Sequence, residues 1–143
     1  MSQIADIAQA IVVALNAETF SPVFTATRAY RPTFDIKDSD LRVTVIPRSV
    51  LMGMLTRSSN QNDLDIDIGI QKKISDLSTN AEVDALIDLV EQIAVFLRTV
   101  PREYGVASWV RSTNDPIYNP EHLKDLMQFT SVLTVTLKAV SSP

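Results

Sequence analysis

The sequence contains no cysteine among its 143 residues, only three glycines and a single histidine, His122. Without cysteine there can be no disulfide, thiolate metal site or cysteine nucleophile. Three glycines are too few for a glycine-rich phosphate loop, and the Walker-type and dinucleotide-binding fingerprints are absent. Metal sites built from several histidines are excluded, and nothing around His122 resembles a nucleophile elbow. We therefore expect a protein that is not an enzyme and uses no metal or cofactor.

Positive charge and aromatic residues are also scarce. Thirteen basic against seventeen acidic side chains leave a net charge of −4, so the chain should not hold DNA by neutralising its phosphates. The N-terminus has no basic leader, and no apolar run approaches membrane-spanning length. Because 45% of the residues are hydrophobic but only 6% are aromatic, aliphatic side chains must form the core. We expect one soluble domain, residues 1–143, made inside the cell.

Helical periodicity predicts one helix at the start of the chain and a short one near its end. Apolar residues recur at helical spacing over residues 2–17, with Ser2 as the predicted N-cap, and the helix should end before Pro22. Near the C-terminus, Asn119 is expected to cap a short helix from Pro120 to about Met127, with proline at its first position.

A longer helix is predicted in the middle of the chain. Apolar residues mark one face from Val83 to Leu97, and acidic residues lie on the other. Thr79 and Glu82 have the spacing of a capping box, in which each side chain bonds the backbone amide of the other residue. Arg98 suits the C-terminal end of the helix dipole, and Pro101 follows.

Strand-forming residues are distributed on both sides of the central helix. The second predicted strand is expected to stop at Pro47, and residues 58–63 are expected to form the turn of a hairpin between the third and fourth strands. An amphipathic helix has one apolar stripe, so the two long helices should cover one face of the sheet. This predicts an α+β, two-layer sandwich with a largely antiparallel sheet. The predicted strands are 23–31, 41–46, 49–57, 64–73, 106–113 and 130–140.

Residues 63–70, DLDIDIGI, place aspartate at every second position, and we call Asp63, Asp65 and Asp67 the acidic row. A helix-loop-helix calcium site needs glycine at its sixth position and glutamate at its twelfth, where this chain has Ile68 and Ile74. In a strand the three carboxylates would lie about 6.5–7 Å apart on one face, too far for easy ligation of one ion. A carboxylate pair for hydrolysis is disfavoured too, since an exposed row gives no difference in pKa.

Two interpretations of the acidic row remain open. In one, it is a solvated strand face whose like charges deter unwanted edge pairing. In the other, which requires a ring-shaped assembly, it faces a channel and repels a polyanion that slides through.

The order of several stretches resembles that of a known family. An amphipathic helix opens the chain, LRVTVIPRS (41–49) follows, and a hairpin leads into DLDIDIGIQKKI (63–74). The long helix AEVDALIDLVEQIAVFL (81–97) comes next, with strands to the end. This order resembles the small neck proteins of tailed bacteriophages, especially tail terminator (tail-completion) proteins. The resemblance covers most of the chain and consists of residue patterns and their order.

The resemblance implies a structural protein of the virion. Tail terminators close as a hexameric ring on the head-proximal end of the tail tube, stop its polymerisation and face the head-side connector protein. DNA passes through the lumen without specific binding, no membrane is involved, and some members are monomeric until they meet the tube. The alternative is another neck component, such as a head-closure or tail tube subunit.

The family has no catalytic residues to transfer, so the residues that we assign are predicted contacts. The acidic row is assigned to the lumen or to a neighbouring subunit. Arg28, Arg31 and Arg57 are assigned to pairing between subunits, with ordinary surface charge as the alternative. Arg48 and the segment 48–62, which we expect to be mobile, are predicted to reach an adjacent ring.

Overall fold

The computed structural model describes residues 3–30, 40–57, 59–99 and 107–141. Within these ranges the chain forms a five-stranded mixed sheet and three helices, so the predicted α+β class is confirmed. No helix in the described ranges is both long enough and apolar enough to cross a membrane. In chain order the elements are α1 (Gln3–Ala17), β1 (Ala26–Arg28), β2 (Arg42–Thr56), β3 (Ser59–Lys73), α2 (Ala81–Thr99), β4 (Ala107–Thr113), α3 (Pro120–Leu126) and β5 (Gln128–Ser141).

The strands lie in the order β1-β2-β3-β5-β4. β1 runs parallel to β2, whereas the β2–β3, β3–β5 and β5–β4 pairs are antiparallel. The long strands β2, β3 and β5 form the centre, in which Ile68 lies between Val45 on one side and Leu133 on the other. β3 is therefore an interior strand with a partner along both sides.

One hydrophobic cluster joins the sheet to the helices. Alternate residues of the strands point into it, among them Val45 of β2, Ile66 of β3 and Val135 of β5, because side chains in a strand alternate between faces. The apolar stripes of the two long helices enter the same cluster. As expected from the composition, its fully buried members are mainly aliphatic. The helix residues buried in the cluster are Ile7, Ala8, Ile11, Val12 and Leu15 of α1, and Leu86, Leu89, Val90, Ile93 and Leu97 of α2.

The first strand is shorter than the predicted 23–31. β1 covers Ala26–Arg28, and the side chain of Asn16, near the end of α1, fixes its start. The Asn16 amide donates to the carbonyl of Ala26 (3.1 Å) and accepts from its backbone N–H (2.7 Å). These two bonds tie the end of the helix to the parallel edge of the sheet.

The prediction that a strand ends at Pro47 is wrong. β2 runs through this residue as one strand, Arg42–Thr56, with a change of register between Pro47 and Ser49. β1 pairs with β2 only as far as Val45. Within the described residues, the outer side of β2 at Pro47 therefore has no strand partner, and proline is tolerated at such an edge.

The predicted hairpin is present, but its turn is much shorter than residues 58–63. β3 already begins at Ser59, and Asn60–Asp63 pair with β5 as well as with β2. The described part of segment 48–62 is thus strand apart from the turn at Arg57, and the expected mobility of this segment stays a prediction. Pairing with β5, which is distant in sequence, outweighs the turn propensity of these polar residues.

The predicted helix caps have different outcomes. Ser2 lies outside the described residues. The capping box of Thr79 and Glu82 is wrong, because α2 begins at Ala81 and the Glu82 carboxylate accepts from the backbone N–H groups of Ser75 and Asp76 (3.2 and 3.1 Å). The α3 cap is confirmed: the Asn119 side chain accepts from two backbone N–H groups of the first turn (3.0 and 3.1 Å).

Candidate functional site

The acidic row lies on the face of β3 opposite the hydrophobic cluster. Leu64, Ile66 and Ile68 point into the cluster and are fully buried, so the alternating aspartates point to the other side of the sheet. β3 is interior, so this row cannot protect an edge. The interpretation that its like charges deter edge pairing is therefore wrong, and the channel interpretation remains a prediction.

Two members of the acidic row share one cation from the neighbouring strand. Arg48 Nη2 lies 3.2 Å from Asp65 Oδ2, and Arg48 Nε lies 3.6 Å from Asp67 Oδ1. The two carboxylate side chains are only 26% and 18% exposed, whereas the arginine is half exposed. Arg48 therefore separates two carboxylates that would otherwise repel each other across the strand face.

Hydroxyl groups of β2 and β5 donate further hydrogen bonds to these carboxylates. From β5, Thr136 Oγ1 donates to Asp65 Oδ1 (2.7 Å) and Thr134 Oγ1 donates to Asp67 Oδ1 (2.8 Å). From β2, Ser49 Oγ donates to Asp65 Oδ2 (3.2 Å). Three adjacent strands thus meet in one hydrogen-bonded cluster, which we call the polar cluster: Arg48, Ser49, Asp65, Asp67, Thr134 and Thr136.

The surroundings of Asp65 lower its pKa. Burial alone would raise the pKa, but hydrogen bonds from Thr136, Arg48 and Ser49, together with the positive charge of Arg48, outweigh it. A carboxyl group with a lowered pKa is ionised at neutral pH and is a poor general acid. The cluster is thus suited to holding charge in place rather than to donating protons.

Asp63 is placed differently from the other two members of the row. Its carboxylate accepts a hydrogen bond from Gln61 Nε2 on the same strand (2.9 Å), and its cross-strand neighbours are Leu51 and Lys138. The structure therefore divides the row into two carboxylates held by Arg48 and one nearer the hairpin end.

The predicted arginine contacts are only partly described. Arg28 lies on β1, donates from Nε to Gln9 of α1 (3.2 Å) and places its guanidinium over the ring of Tyr30. Arg57 is exposed at the β2–β3 turn, and Arg31 lies outside the described residues. Arg48 binds Asp65 and Asp67 of its own chain, and its contact with an adjacent ring stays a prediction. Pairing of Arg28 and Arg57 with another subunit stays a prediction.

The sequence reasoning missed an exposed apolar segment beside the polar cluster. Val50–Met54 of β2, which we call the apolar edge, includes Leu51, Met52 and Met54 at 69%, 74% and 78% exposure. The signal was visible, since residues 49–56 contain no charged side chain. It was not used because the segment suited either a helix or a strand, and an apolar run alone does not separate the two.

His122 lies on α3, where its side chain contacts β5. Its Nδ1 lies 2.9 Å from Thr130 Oγ1, in the contact between α3 and β5. In the part of the chain that the structure describes, no group of three or more histidine, cysteine, aspartate or glutamate residues could hold a metal ion.

No model of a known protein family matches the chain, and no curated protein matches it.

Proposed function

We propose that this chain is a structural virion protein, a tail terminator of a tailed bacteriophage. In this proposal it caps the tail tube as a hexameric ring and forms the head–tail joint around a DNA channel. Its partners are copies of itself, the tail tube protein and the head-side connector protein. The observation that carries the proposal is a sheet with one face in the hydrophobic cluster and a polar cluster on the other.

The proposed arrangement of layers follows from the difference between the two faces of the sheet. Both long helices contribute their apolar stripes to the hydrophobic cluster. We infer a two-layer sandwich in which α1 and α2 form the outer layer and the polar face of the sheet is left for the lumen. A ring built by rotation would repeat this face around its axis.

The polar cluster suits a surface along which DNA slides. A lumen with unpaired lysine and arginine side chains would bind phosphates and hold the DNA. Here the cation at the centre of the face, Arg48, lies against Asp65 and Asp67. Its charge is already balanced, so this part of the face offers hydroxyls and carboxylates. Lys138 and Arg111 share the same face, opposite Asp63 and Thr136.

Assembly on tail tubes tests the proposal. Purified protein is mixed with tail tube protein, separated by size-exclusion chromatography with light scattering, and imaged by electron microscopy. We expect a six-membered ring at one end of each tube and shorter tubes as the protein is added in excess. A protein that remains monomeric, never caps a tube and never enters a virion would refute the proposal.

A labelled virion separates the alternatives within the neck. Label at the junction of tube and head supports the terminator. Label on the portal side or along the whole tube supports a head-closure or a tube subunit instead.

An Asp63→Lys variant adds a test of the lumen, because it should fold and cap tubes but slow DNA ejection. The matched variant, Asp84→Lys on the exposed side of α2, should not.

A further inference from the structure

The apolar edge lies on a stretch of β2 that has no outer strand partner among the described residues. β1 pairs with β2 only over Val43–Val45, and no strand in the described ranges continues that pairing toward Thr56. Backbone N–H and C=O groups on such a side can pair with a strand from another chain. Soluble proteins usually protect an edge of this kind with charged side chains. Here, residues 49–56 carry none.

The exposed side chains of this segment lie on both faces of the sheet. Val50, Met52 and Met54 pair with Leu64, Asn62 and Asn60 of β3, and thus share the face on which Leu64 is buried. Leu51 pairs with Asp63 and points to the opposite face. An added strand would therefore cover apolar side chains above and below its own plane.

We propose that two copies of this chain pair through their apolar edges, antiparallel and around a two-fold axis at Met52. In this register Met52 lies opposite Met52 of the second copy, Val50 opposite Met54, and Leu51 opposite Gly53. Every exposed apolar side chain then meets an apolar residue or a glycine, and no like charges face each other. The proposal does not depend on the tail terminator function.

The β2 edge of a second copy matches the apolar edge better than its β4 edge does. β4 carries Arg111 and several polar residues, and a strand of that composition would leave part of the apolar edge facing polar groups. A two-fold contact uses the same segment of both copies, so this contact joins two copies and does not propagate further. Changes of register near Pro47 and near Met54 limit the regular stretch, so we expect a dimer whose population depends on concentration.

A single introduced cysteine tests this register directly, because the chain has no cysteine of its own. Directly opposed residues of antiparallel strands have Cα atoms about 4.5–5.5 Å apart, within the range of a disulfide. We expect Met52→Cys to form a covalent dimer on mild oxidation of the full chain. The control Val13→Cys places a thiol at an exposed position of α1 and should form far less.

Light scattering tests the non-covalent dimer. With increasing concentration, the wild-type mass should rise from 15.8 kDa toward twice that value. Met52→Lys places two ammonium groups opposite each other and should raise the dissociation constant about tenfold or more, whereas Val13→Lys should not.

The outcomes separate this proposal from the tail terminator. A wild-type chain that stays monomeric, with no more cross-linking for Met52→Cys than for Val13→Cys, overturns the pairing. A six-membered ring without the Met52→Cys cross-link also overturns it and leaves the terminator standing. A dimer that cross-links but never caps tubes supports the pairing and refutes the terminator.

Discussion

The polar cluster and the apolar edge are neighbouring regions of the β2–β3 hairpin that differ in whether their side chains have partners within the chain. At the polar cluster, Asp65 and Asp67 have found partners within the chain, from Arg48 on one side and threonines of β5 on the other. A few residues further along β2, Met52 and Met54 extend into solvent with no charge nearby on the strand. The same pair of strands thus carries one region whose polar groups are bonded within the chain and one whose apolar side chains are exposed.

In the pairing that we propose, the contact surface is the apolar edge and not the acidic row. The acidic row is conspicuous in the sequence, yet Asp65 and Asp67 already accept hydrogen bonds within the fold. The apolar edge is inconspicuous in the sequence, yet its side chains gain most from a partner, because burying apolar surface is the main source of association free energy. Charged groups of the polar cluster add more to orientation and selectivity.

The largest expected effect separates the buried face from the apolar edge. Ile66 is fully buried at the centre of the sheet, and Ile66→Ala should lower the free energy of unfolding by about 2–5 kcal/mol because it leaves a cavity. Leu51→Ala, an exposed truncation of similar size, should change it by about 0.5 kcal/mol or less. Urea unfolding at low protein concentration, where self-association does not contribute, measures both. Equal losses for the two variants would contradict the assignment of Ile66 to the buried face and of Leu51 to the exposed apolar edge.

An intermediate effect is expected in the polar cluster. Thr136 is buried and donates to Asp65, so Thr136→Val keeps the shape but removes a hydrogen bond to a charged group. We expect a loss of about 1–3 kcal/mol in the free energy of unfolding. Thr27→Val, at an exposed position of β1, is the matched control and should be close to neutral. If the two variants unfold alike, the hydroxyl contributes nothing measurable to Asp65.

Local signals in the sequence were enough for the helices. The apolar stripes of α1 and α2 and the Asn119–Pro120 start of α3 depend on residues within one or two turns of each other, so a pattern search finds them. Alternation likewise assigned the acidic row to the face opposite the isoleucines. In each case the physical cause and the sequence signal occupy the same few residues.

Long-range pairing decided the features that were missed. β2 continues through Pro47 because its outer side there has no strand partner among the described residues, and Ser59–Asp63 form strand because β5 pairs with them. The partners of the acidic row were missed for the same reason. Thr134 and Thr136 are separated from the aspartates that they bind by 67 and 71 residues. No window of local sequence contains such a contact.

The smallest expected effect is a change with pH at Asp65. Because the folded state lowers the pKa of this carboxyl group below its ordinary value of 3.8, ionised Asp65 stabilises the fold above that value. The stabilisation is lost as the pH falls from 3.8 through the lower folded-state pKa.

The difference in free energy of unfolding between wild type and Asp65→Asn should therefore shrink in acid, as followed by urea unfolding at a series of pH values. Introducing Arg48→Met into both proteins should reduce the pH-dependent part, because it removes one donor and the nearby positive charge. A difference that stays constant down to the lowest pH would mean that Arg48, Thr136 and Ser49 do not stabilise the ionised carboxylate. The polar cluster would then lack stabilising partners within the chain, as the apolar edge does.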